Sequence, residues 1–435
     1  MALKRVLILT YYWPPAGGAG VQRWLKFSKY LPQNGWEPVI YTSENAEYPA
    51  IDLSLEKDVN PETKVLRTEP WEPYNFYKKL LGKKKGENVS AGFISEKKKP
   101  GMMQKLAVWI RGNYFIPDAR KFWIKPSVKY LSKWLAENKV DAMVSTGPPH
   151  TMHLIALGLK QKFNIPWIAD FRDPWTNIDF YDQLMLSSSA DKKHRRLEKE
   201  VLDRADKIVT VSWHWADDFK KLCGKNIDVI TNGFDEADFK GSSAAVKKEF
   251  AFHHIGALNK DRNPHAFWKG LKAAMGEVPA LKENLKIRLV GKTDFSVFES
   301  LKECGLEQYT EKVEYVPHNE IISFVCSSPI LLLPLNNTPN ILGIIPGKLF
   351  EYLASHRPIF CIGDPAGDTP KIIRECGAGV TYGFKSEDEM KRGIIKMFEA
   401  YKAGSLFNPV GQGVEKYYRS AGAASYSKLL AELVK

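Results

Sequence analysis

The sequence is poor in cysteine and has no long apolar run. Its five cysteines are odd in number, far apart and never in C-x-x-C spacing, which argues against a zinc site or a disulfide framework and favours a reducing compartment. No window approaches the ~18 uninterrupted apolar residues of a membrane-spanning helix. The apolar run near the start ends at Pro14 and lacks a small-residue cleavage site, so we interpret it as a buried strand and not as a signal peptide. These absences predict a cytoplasmic protein.

Acidic residues are outnumbered by basic ones. The chain has 63 Lys and Arg against 50 Asp and Glu, which gives a formal net charge of +13. A basic balance of this size indicates acidic partners, and nucleic acid, phosphorylated substrates and an anionic membrane surface all qualify. The 435 residues are enough for roughly two to three domains with substantial cores.

Short apolar runs alternate with helix-compatible stretches, and the pattern occurs twice. This alternation is typical of parallel sheets covered on both faces. We therefore predict an α/β fold of two Rossmann-like, doubly wound domains that face each other across a cleft, with ligands beyond the carboxyl ends of the strands. The candidate strands are residues 6–11, 38–42, 142–145, 167–171, 208–212 and 229–231, then 253–256, 287–291, 313–316, 330–335 and 358–362.

The predicted N-terminal domain covers residues 1–235 and the predicted C-terminal domain covers residues 250–410. Between them lies a stretch rich in Asp, Ser, Gly and Lys, a composition that suits a connection between domains. Residues 411–435 have a helical pattern with no strand after them, and packing back on the N-terminal domain is one option for this helix.

Residues 75–136 interrupt the alternation with lysines and arginines interleaved with aromatic side chains such as Trp109, Phe122 and Trp134. Basic and aromatic residues in this mixture fit contact with an anionic membrane surface. The main alternative is a solvated insertion whose lysines serve solubility. Single-stranded nucleic acid is a weaker alternative, and because no nucleic-acid module accompanies the segment, we expect no nucleic-acid partner.

A Gly/Pro-punctuated loop at residues 343–355 leads into a predicted helix. The first turn of a helix presents unpaired N–H groups and favours an anion, so the amides around Ile345 are candidate donors to a phosphate. Lys348 adds a full charge about one turn before Glu351, and a carboxylate is the usual partner of a sugar's vicinal hydroxyls. An anion site beside a diol site suggests a nucleotide.

Two further loops combine glycine with a strand end. After the strand near residue 254, Arg262 is placed to donate to phosphate oxygens and would form a cationic clamp with Lys348. Near the N-terminus, Gly18 and Gly20 follow the first strand and would let the backbone approach a ligand closely. Their spacing is neither G-x-G-x-x-G nor a lysine-bearing P-loop, and a loop that only makes the turn is the alternative.

Polar side chains follow two more predicted strands. His150 ends the TGPPH loop after one of them, and Asp170, Arg172 and Asp173 end the next. Such a cluster can bind hydroxyls or take up a proton. The alternatives are a structural histidine and a turn closed by an internal salt bridge.

These residues together resemble glycosyltransferase family 4, whose members have the two-Rossmann-domain GT-B fold. PPAGGAGVQR resembles that family's first loop, and Asn232-Gly233-Phe234-Asp235 resembles its N-G-x-D turn. Arg262 falls at its basic phosphate-binding position. Glu351 matches the second glutamate of its Glu-x7-Glu motif, but Gly343 stands at the first. The pattern P-x-K-x-x-E-Y resembles that of one branch of the family, which is common among bacterial surface-polysaccharide enzymes.

The resemblance implies a retaining hexosyltransferase that moves a sugar from a nucleoside-diphosphate donor to a glycan or polyprenyl-linked acceptor. It implies donor contacts from Gly18, Gly20, Arg262, Ile345, Lys348 and Glu351. We assign His150, Arg172 and Asp173 to the acceptor and reacting-sugar side of the cleft. Because no D-x-D pair follows a strand, we expect no metal and no cofactor.

The enzyme would be cytoplasmic or peripheral on the inner face of the membrane. The alternatives are a GT-B-fold sugar-nucleotide epimerase and a non-enzymatic basic binding protein.

Overall fold

The structure is a computed structural model that describes residues 3–46, 48, 50–71, 102–240, 245–313 and 318–435. By its contacts the chain divides into two compact units. Met1–Asn232 together with Arg419–Lys435 form the N-terminal unit, and Gly233–Tyr418 form the C-terminal unit. The lysines from Lys78 to Lys99, which belong to the predicted basic insertion, lie outside the described residues.

A seven-stranded parallel sheet lies at the centre of the N-terminal unit. Its order is β3-β2-β1-β4-β5-β6-β7, and since the order reverses at β1, the helices on either side of that point cover opposite faces. β4 and β5 are buried along their whole length, which explains why most of their residues are apolar. The strands are β1 (Lys4–Leu9), β2 (Trp36–Ser43), β3 (Lys64–Thr68), β4 (Ala142–Gly147), β5 (Trp167–Phe171), β6 (Lys207–Thr210) and β7 (Ile227–Val229).

The helices of this unit connect the parallel strands. They are α1 (Ala19–Tyr30), α2 (Met102–Tyr114), α3 (Ile124–Glu137), α4 (Thr151–Phe163), α5 (Ser188–Arg204) and α6 (Trp213–Cys223), joined at the end of the chain by α15 (Arg419–Leu433).

The C-terminal unit repeats this architecture with a six-stranded parallel sheet in the order β10-β9-β8-β11-β12-β13. Phe252, Phe267, Trp268 and Phe360 are fully buried in its core. The strands are β8 (Phe250–Ile255), β9 (Leu285–Val290), β10 (Thr310–Val313), β11 (Ile330–Pro334), β12 (Ile359–Ile362) and β13 (Gly379–Tyr382). The helices are α7 (Glu236–Phe239), α8 (His265–Glu277), α9 (Ala280–Asn284), α10 (Phe295–Glu303), α11 (His318–Ser327), α12 (Lys348–Ala354), α13 (Asp368–Glu375) and α14 (Glu387–Lys402).

A buried polar network centred on Asp170 fixes α15 to the N-terminal unit. The Asp170 carboxylate accepts hydrogen bonds from Arg23 Nε at 3.1 Å, from Trp24 Nε1 at 2.7 Å and from Tyr426 Oη at 2.6 Å. Burial alone would raise the pKa of Asp170, but the Arg23 charge and these hydrogen bonds hold it below its ordinary value. Asp170 therefore pairs internally, which is one of the alternatives that the sequence left open for its cluster.

Both units are α/β with doubly wound parallel sheets, which confirms the predicted fold class. Within the described ranges, no helix has both the length and the apolar character that crossing a membrane requires.

Candidate functional site

A small pocket of the C-terminal unit lies at the carboxyl ends of β8 and β11, which are neighbours in the sheet. Two cationic side chains, Arg262 and Lys348, line it together with the amide side chain of Asn336. The other lining residues are Leu333, Pro334, Leu335, Ile344 and Pro346. Since the described lining residues include two cations and no acid, the pocket favours an anion.

Gly256 makes the turn after β8 and leaves space for the lysine. Its φ of +101° is a conformation that favours glycine. A Cβ added there would lie 3.1 Å from Lys348 Nζ. Gly291, after β9, also has a positive φ of +103°, and a Cβ there would come within 3.3 Å of the Gly256 carbonyl oxygen. The two turns are therefore packed against each other, and Gly256 lies directly beside the ammonium group.

Helix α12 carries Lys348 at its first residue and is anchored on β8. The Ile255 backbone N–H donates a 3.1 Å hydrogen bond to the Tyr352 hydroxyl, and Leu349 and Phe350 are fully buried. Burial and the charge of Arg262 lower the pKa of Lys348 to about 7, against the opposing effect of Glu351 on the same helix. A nearby anion would favour the charged form of Lys348 and so raise its pKa.

Arg262 is held in the pocket by the loop that follows β11. Its Nε donates to Asn336 Oδ1 at 2.6 Å, and one of its Nη atoms lies 3.4 Å from the Ala257 carbonyl oxygen. The backbone reinforces this arrangement, because Asn337 N–H donates to the Asp261 carbonyl at 3.1 Å. Arg262 and Lys348, which are far apart in sequence, therefore converge on one pocket.

The loop before α12 uses two of its amides internally. Gly343 N–H donates to the Asn340 carbonyl at 3.2 Å, and Ile344 N–H donates to the Ile341 carbonyl at 3.1 Å. These two amides close a turn, whereas the sequence suggested that they would face an anion. Donation from the amide of Ile345, a buried residue, stays a prediction.

In the N-terminal unit, Arg172 joins the first turn of α1 to the end of β4 and the loop that follows it. Its guanidinium donates to the carbonyl oxygens of Gly20 at 2.6 Å, of Gly147 at 3.3 Å, and of Pro148. Gly20 is packed so closely that a Cβ would lie 3.0 Å from the Tyr12 ring and 3.2 Å from Arg172. Gly18, with a φ of +91°, is the residue that precedes α1. Gly20, predicted to lie in a loop, is thus in the first turn of α1, and Arg172 fixes that turn against the loop that carries His150.

His150 and Asp173 lie near Arg172 in this unit. The His150 ring is buried and stacks on Trp175, with ring centroids 4.7 Å apart. Burial, with the nearby His153 and Arg172, holds the pKa of His150 well below its ordinary value, so the ring is neutral. Burial raises the pKa of Asp173, and the charge of Arg172 opposes this. Arg172 is therefore a charged neighbour of both His150 and Asp173.

The sequence missed the side chains that support these loops. The Asp118 carboxylate accepts hydrogen bonds from the Thr151 N–H at 2.9 Å and hydroxyl at 2.8 Å, which fixes the start of α4. The Glu198 carboxylate accepts from the Trp175 and Thr176 N–H groups, each at 3.3 Å. The only indication of Asn336 in the sequence is its position directly after a predicted strand. Neither Asp118 nor Glu198 belongs to a recognisable motif.

The predicted donor-binding residues divide between the two units. Arg262, Ile345, Lys348 and Glu351 belong to the C-terminal unit, and Gly18 and Gly20 belong to the N-terminal unit with His150, Arg172 and Asp173. Over the described parts of the chain, no three His, Cys, Asp or Glu side chains are grouped so as to hold a metal ion.

Comparison with known proteins identifies a partial family match. Residues 95–238 match the model of Glycosyltransferase Family 4, which is about a third of the chain. No curated protein sequence matches the chain.

Several solved structures share the fold over nearly the whole chain. Sucrose-phosphate synthase from Thermosynechococcus elongatus is 13% identical with a TM-score of 0.62, covering 99% of each chain. Anabaena HepE in complex with UDP-glucose is 13% identical with a TM-score of 0.58, covering 98% of this chain and 99% of its own. UDP-GlcNAc 2-epimerase from Methanocaldococcus jannaschii is 12% identical with a TM-score of 0.52, covering 98% and 99%. At these identities the likeness shows the GT-B fold alone, which both transferases and an epimerase use.

Proposed function

We propose that this protein is a glycosyltransferase of the family 4 type, which moves a hexose from a nucleoside-diphosphate-sugar to a hydroxyl of a glycan or polyprenyl-linked acceptor. The partial family match, the GT-B fold and the sequence motifs all support this function. The P-x-K-x-x-E-Y pattern further favours a role in cell-surface polysaccharide synthesis. Metal-independent transfer with retention at the anomeric carbon is part of the same proposal.

The observation that carries the proposal is the convergence of Arg262 and Lys348 on one pocket, at the carboxyl ends of two adjacent parallel strands. Ligands of doubly wound sheets bind at this edge. Arg262 can donate two N–H groups to phosphate oxygens while Asn336 holds its Nε. Lys348 supplies a compact second charge. Glu351, further along the same helix, is proposed to bind the ribose hydroxyls.

The difficult step of the transfer is cleavage of the bond between the anomeric carbon and the diphosphate oxygen. Negative charge grows on the diphosphate as that bond breaks, so cations already in place stabilise the transition state more than the substrate. Lys348, with a pKa of about 7 in the free site, gains a proton more readily as the phosphate charge approaches. In the proposed route, a phosphate oxygen of the leaving group accepts the proton of the attacking hydroxyl, and no protein nucleophile is needed.

The N-terminal unit is proposed to bind the acceptor through His150, Arg172 and Asp173. Because Arg172 donates to three carbonyl oxygens, we assign it the task of holding the Gly18–Gly20 loop and the His150 loop in position. The neutral ring of His150 and the carboxyl of Asp173 are the groups proposed to contact acceptor or sugar hydroxyls.

Peripheral membrane attachment is a further part of the proposal. In α2, Met102, Leu106 and Trp109 are spaced four and three residues apart and share one helix face. They are 87%, 45% and 36% exposed. In the sequence, lysines precede this face and Arg111 follows it, as expected for contact with anionic lipid. A solvated insertion is the alternative, and attachment would place the enzyme on the inner face of the cell membrane.

Product analysis tests the proposed activity. The protein is incubated with UDP-, GDP-, ADP- and CMP-sugars, each with and without a crude lipid-linked oligosaccharide acceptor, and products are separated by mass and by sugar configuration. We expect sugar transfer that requires the acceptor, with retained anomeric configuration. A new epimer formed without acceptor would identify an epimerase instead. Binding without any product, unaffected by Arg262→Ala or Lys348→Ala, would favour a basic binding protein.

A further inference from the structure

His254, at the carboxyl end of β8, contacts the lysine of the candidate site. Its side chain is 0% exposed. Nδ1 lies 3.1 Å from the carbonyl oxygen of Leu332 on β11, and Nε2 lies 3.3 Å from Lys348 Nζ. The imidazole thus bridges the adjacent strand on one side and the ammonium group on the other.

The partners of the ring decide which nitrogen carries the proton. The Leu332 carbonyl can only accept a hydrogen bond, so Nδ1 must be the donor. Burial and the charge of Lys348 hold the pKa of His254 well below its ordinary value, so the ring has one proton and Nε2 has a free lone pair. The Ala257 carbonyl, 3.4 Å from Nε2, cannot be a hydrogen-bond partner in this tautomer. Nε2 therefore accepts from the ammonium group of Lys348.

We propose that His254 is a positioning residue for the diphosphate site: its Nε2 accepts a hydrogen bond from Lys348 and holds the ammonium group beside the Gly256 turn, facing the phosphates. The inference rests on the proposed function for the identity of the bound anion. It assigns to His254 a role in substrate binding that the sequence pattern did not supply.

The need for such a residue follows from the charges around the lysine. Arg262 lines the same pocket and repels the ammonium group, and Glu351 on α12 attracts it. Lysine has four rotatable side-chain bonds, so without a fixed acceptor it can turn away from Arg262 and leave the clamp incomplete. The missing Cβ of Gly256 provides the space, and His254 provides the acceptor that keeps Lys348 there.

Two conservative substitutions separate positioning from simple structural support. In His254→Asn the amide can replace the Nδ1 donor to Leu332 but does not reach Lys348. In His254→Gln the amide oxygen can reach the position of Nε2 but the bond to Leu332 is lost. The neighbouring His253 is a matched control, since it is equally buried on β8 but contacts Ser328 and Arg288.

Affinity for UDP, GDP and ADP is measured by calorimetry, and thermal unfolding checks each variant. For the nucleoside diphosphate that binds the wild type tightest, we expect His254→Asn to weaken binding about tenfold or more, as for loss of a hydrogen bond to a charged group. We expect His254→Gln and His253→Gln to stay within about threefold of the wild type. Equal losses in the two His254 variants, or a larger loss in His254→Gln, would overturn the proposal.

A measurement on the unmodified protein covers the case in which the variants do not fold. Nitrogen-15 NMR of the labelled histidines reports which ring nitrogen carries the proton. We expect an unprotonated Nε2 on His254, and a protonated Nε2 would contradict the proposal. If the wild type binds none of the three nucleoside diphosphates, the proposed function fails, whereas the His254–Lys348 hydrogen bond is still decided by this spectrum.

Discussion

The hydroxyl of Tyr352 accepts a hydrogen bond from the Ile255 backbone N–H at 3.1 Å. This contact ties the helix that carries Lys348 to β8, the strand that leads into the Gly256 turn beside the lysine. The position of the lysine therefore depends on a buried tyrosine that does not line the pocket itself.

Tyr352→Phe leaves the buried Ile255 N–H without its partner. We expect a loss of about 1–3 kcal/mol in the free energy of unfolding, together with weaker binding of nucleoside diphosphates. Tyr401→Phe is the control, because it removes a hydroxyl that donates to Asn284 at 3.2 Å in the same unit. Urea unfolding and calorimetry measure the two effects. Unchanged diphosphate affinity in Tyr352→Phe would show that the anchor does not position Lys348.

Lys348→Met is expected to stabilise the free protein at neutral and lower pH. The pKa of Lys348 is about 7 in the folded protein against an ordinary value of 10.5. Below pH 7 both the folded and unfolded states bind the proton, and the folded state bears the full cost of burying the charge. Between the two pKa values the unfolded state binds more protons, so the stability of the wild type rises with pH relative to the variant.

Urea unfolding at about pH 6, 8 and 9.5 checks this pH dependence. The advantage of Lys348→Met should be largest at the lowest pH and shrink at each step. Lys269 on α8 is exposed, so Lys269→Met is the control and should show no comparable trend. An advantage that is constant with pH would mean that the charge of Lys348 is not buried at a cost.

Gly256→Ala should harm both stability and ligand binding. The positive φ makes any L side chain strained, at a cost of about 1–2 kcal/mol, and the new Cβ would lie 3.1 Å from Lys348 Nζ. Gly404→Ala is matched to it, because Gly404 has a φ of +75° and nothing within 4 Å of the added Cβ. Both variants should lose stability, but only Gly256→Ala should bind nucleoside diphosphates more weakly. Equal affinities would exclude a role for the space beside Gly256.

The exposed face of α2 predicts binding to anionic lipid. Replacing Leu106 and Trp109 together by serine should reduce sedimentation with phosphatidylglycerol-containing vesicles and leave sedimentation with neutral vesicles unchanged. Leu53→Ser removes another exposed apolar side chain of the same unit, 66% exposed, and should have no effect. Vesicle binding that survives the double substitution would remove this helix face from the membrane proposal.

The central strands of both sheets could be predicted from sequence because they are buried and mostly apolar. β3 and β13 were missed, and both are edge strands with mostly half-exposed side chains. An edge strand needs no continuous apolar run, so its sequence gives a weaker signal. The start of the last helix was also predicted too early, because a short 3-10 turn at Val414–Tyr417 precedes α15.

The convergence of Arg262 and Lys348 was predictable, since both follow parallel strands and such strand ends meet at one edge of a sheet. The supporting contacts were not. His254 and Asn336 act through partners on other strands and loops, and pairing of this kind depends on register across the sheet. Arg172 likewise proved to contact three carbonyl oxygens, which no local pattern indicates.

The most direct test of the proposed diphosphate site is calorimetric titration of UDP, GDP and ADP into the wild type, Arg262→Ala and Lys348→Ala. Arg374→Ala, which removes an exposed arginine bound to the Pro365 carbonyl in the same unit, is the control. We predict that at least one nucleoside diphosphate binds the wild type and Arg374→Ala equally, and binds each pocket variant about tenfold or more weakly. The proposed site would be contradicted if none of the three bound, or if the pocket variants bound as tightly as the wild type.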